Sequence, residues 1–508
     1  MAFRHRRVAA CLVALLVIGA LLPSIYAGAR PQNGGKQNDA SAVPEPAVTS
    51  HTITLEGTEL AYSATAGYMP LEDDAGKTKA RMFYVAYEKK GADAAERPVT
   101  FCFNGGPGAS SIWLHMAALG PRYVPFPDRG KSLPDKPQLK TNPYTWLPFT
   151  DLVFIDPVGT GYSRKAEGVD PQQYWSLKGD LRSVGEFIRL YIEKNNRWVS
   201  PTYVAGESYG ATRAGGLTKY LQDEHNMYLD GVVLISSALD YKLLGFNHGA
   251  GLRHALLLPS LTASARYHNK LPESLPESMP DLLSEVESWA LETYLSALAK
   301  GNDLSDNKKM SVAETLSSYT GIPTDAIMER DLRIGQHYFA KNLLRGEDEI
   351  MGMYDARVTA PAINPEKRSH ADYDPSAFLS KGPLKRMFKT YVRSELDWET
   401  DRRYFLMADK VNHHWDWGQK MGFPEVVADI RTAMMRDPHL QVLLACGYYD
   451  LVTPYSTSEW VVNHLDLAAS VRDNVSVKHY RGGHMLYTNP QAHRNFTRDA
   501  AQLIGGRK

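Results

Sequence analysis

A serine hydroxyl attacks a carbonyl only when a base takes its proton. Gly206-Glu207-Ser208-Tyr209-Gly210 offers such a serine. It forms a G-x-S-x-G directly after the apolar run Thr202 to Ala205. Small residues on both sides let the chain turn sharply from strand to helix, so the Ser208 hydroxyl projects from the end of a sheet. A helix over Ala211 to Leu221 would aim its N-terminal N–H groups and positive dipole end at the same point. Candidate partners follow in the chain order Ser, Asp, His. Asp450 comes after the apolar run Val442 to Ala445, and His484 sits in Arg481-Gly482-Gly483-His484-Met485, after Val475 to His479. In this reading His484 takes the serine proton and returns it to the leaving group. Asp450 holds the imidazole tautomer and stabilises its charged form. Taken singly, Asp450 reads as a turn residue, His484 as a loop residue and the serine motif as a common match. Their order and their places after strand-like runs make the triad reading.

Asn104-Gly105-Gly106-Pro107-Gly108-Ala109-Ser110-Ser111 follows the run Val99 to Phe103. Glycines let backbone N–H groups approach a ligand closely. The expected oxyanion donors are the N–H groups of Gly106 and Tyr209. A phosphate loop is the rival, but its Lys and Ser/Thr pattern is missing. These residues alone define a serine hydrolase or acyltransferase.

Strand-like runs must place them. Val99 to Phe103, Leu152 to Ile155, Thr202 to Ala205, Val232 to Ile235, Val442 to Ala445 and Val475 to His479 mostly lack polar alternation. That is expected of parallel strands buried on both faces. Leu177, Leu181, Val184, Ile188 and Ile192 mark one face of a helix between them. Strands alternating with helices predict an α/β fold with a mainly parallel central sheet and helices on both faces. Weak strand signals over 243–429, with a helical pattern from Leu282 to Leu298, predict a helical cap insertion. The sheet would then be built in two parts, 51–242 and 430–508.

The 508 residues carry 57 basic and 57 acidic side chains, a balance that gives no sign of a nucleic-acid partner. Arg4, Arg6 and Arg7, the apolar run Val8 to Leu22 and the small residues Ala27-Gly28-Ala29 read as a signal peptide over 1–29. The apolar run is short for a membrane span, which argues for cleavage over an uncleaved anchor. Cleavage removes three arginines and no acid, giving a net charge of −3. Residues 30–50 read as a disordered linker. The expected location is secreted or periplasmic, with no stable membrane span after cleavage. Cys102 and Cys446, outside the signal, read as buried thiols, and so few cysteines point to a bacterial envelope protein. His413-His414-Trp415-Asp416-Trp417 lacks metal-ligand spacing, so no metal is expected; its aromatics would line a pocket or fill core. The sequence sets no oligomeric state.

Asn104 to Ser111, Leu119-Gly120-Pro121, Asp156 to Ser163, Gly206 to Gly210 and Gly483-His484-Met485 together resemble the ordered motifs of the serine carboxypeptidases, on an α/β-hydrolase fold. The resemblance covers about 61–235 and 441 to the end. It implies removal of single residues from peptide C-termini through an acyl-enzyme, with peptides as substrates and no cofactor. It also implies that Asn104 and Glu207 bind the substrate's terminal carboxylate. A second glutamate shares the proton of that pair in the family, but here Ala118 precedes Leu119-Gly120-Pro121. Ala109 and Cys102 depart from the pattern too. Arg213, five residues past Ser208, is a candidate replacement charge for the carboxylate, with a structural ion pair or a solvated side chain as the alternative. The rival functions are an esterase or acyltransferase on this scaffold, and a non-catalytic binding protein.

Overall fold

A computed structural model describes residues 44–126, 136–245, 249–363, 373–418 and 423–506. The expected signal, and the linker up to residue 43, lie outside them. The linker reading of 30–50 is corrected at its end, because a strand begins at Ala47. That strand is held by antiparallel pairing with its neighbour along its whole length.

The main sheet strands are β1 (Ala47–Leu55), β2 (Thr58–Glu72), β3 (Thr78–Lys89), β4 (Val99–Phe103), β5 (Asp151–Ile155), β6 (Thr202–Glu207), β7 (Gly231–Ile235), β8 (Gln441–Gly447) and β9 (Val475–Tyr480). Their spatial order is β1-β2-β3-β5-β4-β6-β7-β8-β9, and a short strand, Arg164–Lys165, pairs with β3 off this path. From β5 to β9 the pairs are parallel. The β1, β2 and β3 edge is antiparallel, as is the β3–β5 junction.

Residues of β4, β5, β6 and β7 are buried throughout. The period of two sends alternate side chains into separate cores. Phe101, Val153, Val204 and Val232 face one. Leu152, Tyr203, Val233 and Ile235 face the other. Helix α1 (Leu177–Lys194) starts at Ser176, whose hydroxyl accepts the Gly179 N–H at 3.1 Å. It buries Leu181, Val184, Phe187 and Ile188 in the first core, beside α2 (Tyr209–His225).

The insertion is largely helical, beginning with α3 (Gly251–Tyr267). Two of its parts do more than cap. A hairpin, Glu349–Met351 with Thr359–Pro361, reaches the catalytic rim. Helix α4 (Pro375–Ser394) buries Leu384, Phe388 and Tyr391 in the second core, and the Tyr391 and Tyr87 hydroxyls hydrogen-bond at 3.0 Å. The expected boundary at 429 falls inside α5 (Val427–Arg436), which packs on α2. Helices α6 (Tyr455–Asn463) and α7 (Pro490–Gly505) complete the layers. Among the described residues no helix is long and apolar enough to cross a membrane.

Candidate active site

Parallel strands present all their C-terminal ends at one rim, where ligands of open α/β sheets bind. Asn104 follows β4, Ser208 follows β6, and Asp450 and His484 lie on the loops after β8 and β9. Ser208 turns the chain with φ 63° and ψ −126°, well outside the ordinary helix or strand regions. A Cβ at Gly206 would collide with the Gly210 carbonyl, so the turn requires its glycine.

Asp450 and His484 meet directly. The His484 Nδ1 to Asp450 Oδ2 distance is 2.7 Å, and both residues are buried. Asp450 Oδ1 accepts the N–H groups of Val452 (2.8 Å) and Thr453 (2.9 Å), while Thr453 Oγ1 donates to Oδ2 at 2.6 Å. Burial alone would lower the His484 pKa, but the Asp450 carboxylate reverses this and holds it above its usual value. Ser208 Oγ makes no hydrogen bond to the His484 ring among the described residues. The two residues are nonetheless tied to adjacent positions of one strand end. Ser208 N–H donates to Ile235 O at 3.0 Å, and Ser236 Oγ donates to His484 O at 2.7 Å. Catalytic hydrogen bonds of this kind are often long before substrate binds.

The glycine loop crosses directly over the start of α2. A Cβ at Gly105 would collide with the backbone nitrogens of Tyr209 and Gly210. Among the described residues, neither the Gly106 nor the Tyr209 N–H donates to a protein acceptor. Two N–H groups without a protein acceptor, one on the residue after the serine and one on this loop, suit an oxyanion.

Asn104 and Glu207 are also brought together. Asn104 Oδ1 accepts the Leu114 N–H at 3.0 Å, which turns Nδ2 toward Glu207 Oε1 at 3.1 Å. Tyr487 donates its hydroxyl to Glu207 Oε2 at 2.5 Å. Burial pushes the Glu207 carboxyl up to about 7, against the lowering effect of the His484 charge and these two hydrogen bonds.

Residues 55–497 match the model of the serine carboxypeptidase family. The chain belongs to that family. It is 28% identical over 173 residues to serine carboxypeptidase-like 20 of Arabidopsis thaliana, covering 33% of this chain and 32% of that protein. It is 30% identical over 149 residues to serine carboxypeptidase 1 of Hordeum vulgare, covering 28% of each. The chain thus spans about a third of the length of these relatives. The solved structure of Kex1(delta)p, a prohormone-processing carboxypeptidase from Saccharomyces cerevisiae, superposes with a TM-score of 0.54 at 15% identity. That match covers 87% of this chain and 91% of the yeast chain, and it supports the α/β-hydrolase fold. A bacterial source, expected from the scarcity of cysteine, finds no support in these plant relatives.

One candidate site residue of this member of the serine carboxypeptidase family is corrected to its alternative, a structural ion pair. Arg213 does not face the substrate side as a free charge. It is 1% exposed, and its Nε donates to Asp180 Oδ2 of α1 at 2.8 Å. Its Nη1 donates to the Asn104 carbonyl, also at 2.8 Å. Tyr209 Oη donates to the same Asp180 oxygen at 2.9 Å. Arg213 therefore ties α1 and α2 to the end of β4 from beneath. Arg213→Ala would leave the Asp180 carboxylate buried without its cation. A loss of about 3–5 kcal/mol of stability is expected, read by urea denaturation. An arginine serving only substrate would instead leave stability unchanged and raise KM.

Sequence reasoning missed three groups at the rim. Tyr487 is one and Thr453 another. The third is Tyr354, from the hairpin of the insertion. Its carbonyl accepts the His484 N–H at 2.5 Å, and its ring meets the imidazole edge-on at 5.1 Å. Leu451 N–H donates to Met353 O at 3.0 Å, so the same hairpin also braces the Asp450 loop. Trp415 and Trp417 stack edge-on around the Tyr209 ring at 5.1 and 5.9 Å. Cys102 and Cys446 are buried free thiols, as expected.

Proposed function

We propose that this chain is a serine-type carboxypeptidase that releases C-terminal residues from peptides through an acyl-enzyme. Ser208 is the nucleophile, His484 the base and Asp450 the group that orients it. Gly106 and Tyr209 N–H groups hold the oxyanion. Asn104 and protonated Glu207 bind the terminal carboxylate. Residues 1–29 direct export to a secreted or periplasmic location.

The observation that carries the reading is the buried Asn104–Glu207 pair immediately beside Ser208. A carboxylic acid next to an amide offers two donors to an anion. A carboxylate, charged and with two acceptor oxygens, gains more from that pair than an ester or amide terminus does, so it favours a carboxypeptidase over an esterase or acyltransferase.

The test compares a blocked dipeptide acid with its C-terminal amide across pH. On the acid side both rates rise as His484 loses its proton. On the alkaline side the peptide acid alone loses rate near pH 7, as Glu207 ionises and repels the substrate. Because Glu207 and His484 feel each other's charge, the two limbs report the pair rather than either group alone. Equal cleavage of acid and amide at every pH would favour the esterase. Failure to label with a fluorophosphonate would point to a binding protein.

A further inference from the structure

We propose that Tyr487 is a positioning residue for the substrate's terminal carboxylate, acting through Glu207. The proposal rests on the carboxylate-binding reading of Asn104 and Glu207 given above.

Glu207 ends β6 and is 4% exposed, and Tyr487 is buried with it. Each Glu207 oxygen meets one donor, Asn104 Nδ2 at Oε1 and Tyr487 Oη at Oε2. Among the described residues no lysine or arginine pairs with Glu207, since Arg213 is turned to Asp180. The other titratable groups that face it are His484, Asp450 and Tyr354. An ionised Glu207 therefore repels a carboxylate, and only its acid form can bind one.

In that acid form the hydroxyl of Tyr487 decides which oxygen carries the proton. A phenol donating to Oε2 makes Oε2 the carbonyl oxygen. The acid proton then belongs on Oε1, beside the Asn104 amide. The Oε1–H is then a donor to one oxygen of a carboxylate, beside the Asn104 amide, which Tyr487 also holds by a hydrogen bond. Without the phenol the proton is shared between both oxygens, and half of that population faces away from the substrate. The phenol also favours the ionised form of Glu207, so it limits how far burial raises the carboxyl.

The test is Tyr487→Phe, which keeps the ring and removes the donor. With a peptide acid at pH 6, KM is expected to rise roughly fivefold, the worth of one neutral hydrogen bond, with kcat little changed. KM for the matching C-terminal amide should stay constant. The alkaline limb for the peptide acid should move to higher pH. An unchanged KM and limb, or an equal KM rise for the amide, would overturn the proposal. If the wild type cleaves no peptide acid, the functional reading fails separately. Tyr487 is then judged by 13C NMR titration of the Glu207 carboxyl, assigned by its loss in Glu207→Gln. A higher midpoint in Tyr487→Phe supports the role, and identical midpoints sink it.

Discussion

Ser208→Ala will lower kcat/KM for a peptide acid by roughly 10⁴-fold or more while leaving the fold at its normal stability. The two halves of that expectation have different causes. The rate falls because the acyl-enzyme cannot form without the hydroxyl, and the remaining catalysis comes only from the oxyanion donors and binding. Stability holds because Ser208 Oγ gives up no protein hydrogen bond among the described residues. The strained backbone at φ 63° is paid equally by alanine, which has the same Cβ. A change within about 0.5 kcal/mol is therefore expected in urea. Activity retained to within tenfold, in protein that still unfolds at the normal midpoint, would remove Ser208 from the mechanism.

Much of this arrangement was legible in the chain, for a physical reason. A strand covered on both faces must be apolar at every position, so β4, β5, β6 and β7 stand out as short unbroken runs. The residues after such strands are then constrained to one rim, and that is why Ser208, Asp450 and His484 could be grouped from order alone. The antiparallel edge was less visible. β2 contains Gly67 and Pro70, which count against a strand in sequence, yet Gly67 is required there because a Cβ would press on Pro46. Only the first residues of β1, 47–50, fall in the expected linker, and the alternating exposure of the strand leaves it without an unbroken apolar run.

The missed site residues share another cause. Tyr487 lies 280 residues from Glu207, and no local spacing announces a contact that only the sheet's closure creates. Tyr354 enters from an insertion whose helical character said nothing about a hairpin. Arg213 did carry a signal that pointed the other way. Asp180 is the charged residue on the buried face of α1, one turn from Val184. A carboxylate placed there demands a buried cation, and Arg213 on the neighbouring helix is that cation.

Asp450→Asn should cost about as much as loss of the serine, near 10⁴-fold in kcat, although it alters a single atom. The surrounding hydrogen bonds fix the outcome. Oδ1 already accepts the N–H groups of Val452 and Thr453, so in the asparagine the remaining oxygen must stay there. The new Nδ2 then takes the place of Oδ2 and faces His484 Nδ1. An N–H pointing at Nδ1 makes that nitrogen the acceptor and moves the ring proton to Nε2. The imidazole is then in the wrong tautomer to receive a proton from Ser208. The charge that holds the His484 pKa above its usual value is lost as well, and burial then keeps the ring neutral. The acid limb of the pH profile should accordingly move to lower pH while the plateau falls. Fluorophosphonate labelling, which also needs a proton taken from Ser208, should slow by a similar factor. Labelling at the wild-type rate would show that His484 accepts that proton without Asp450, and would separate the dyad from the chemistry.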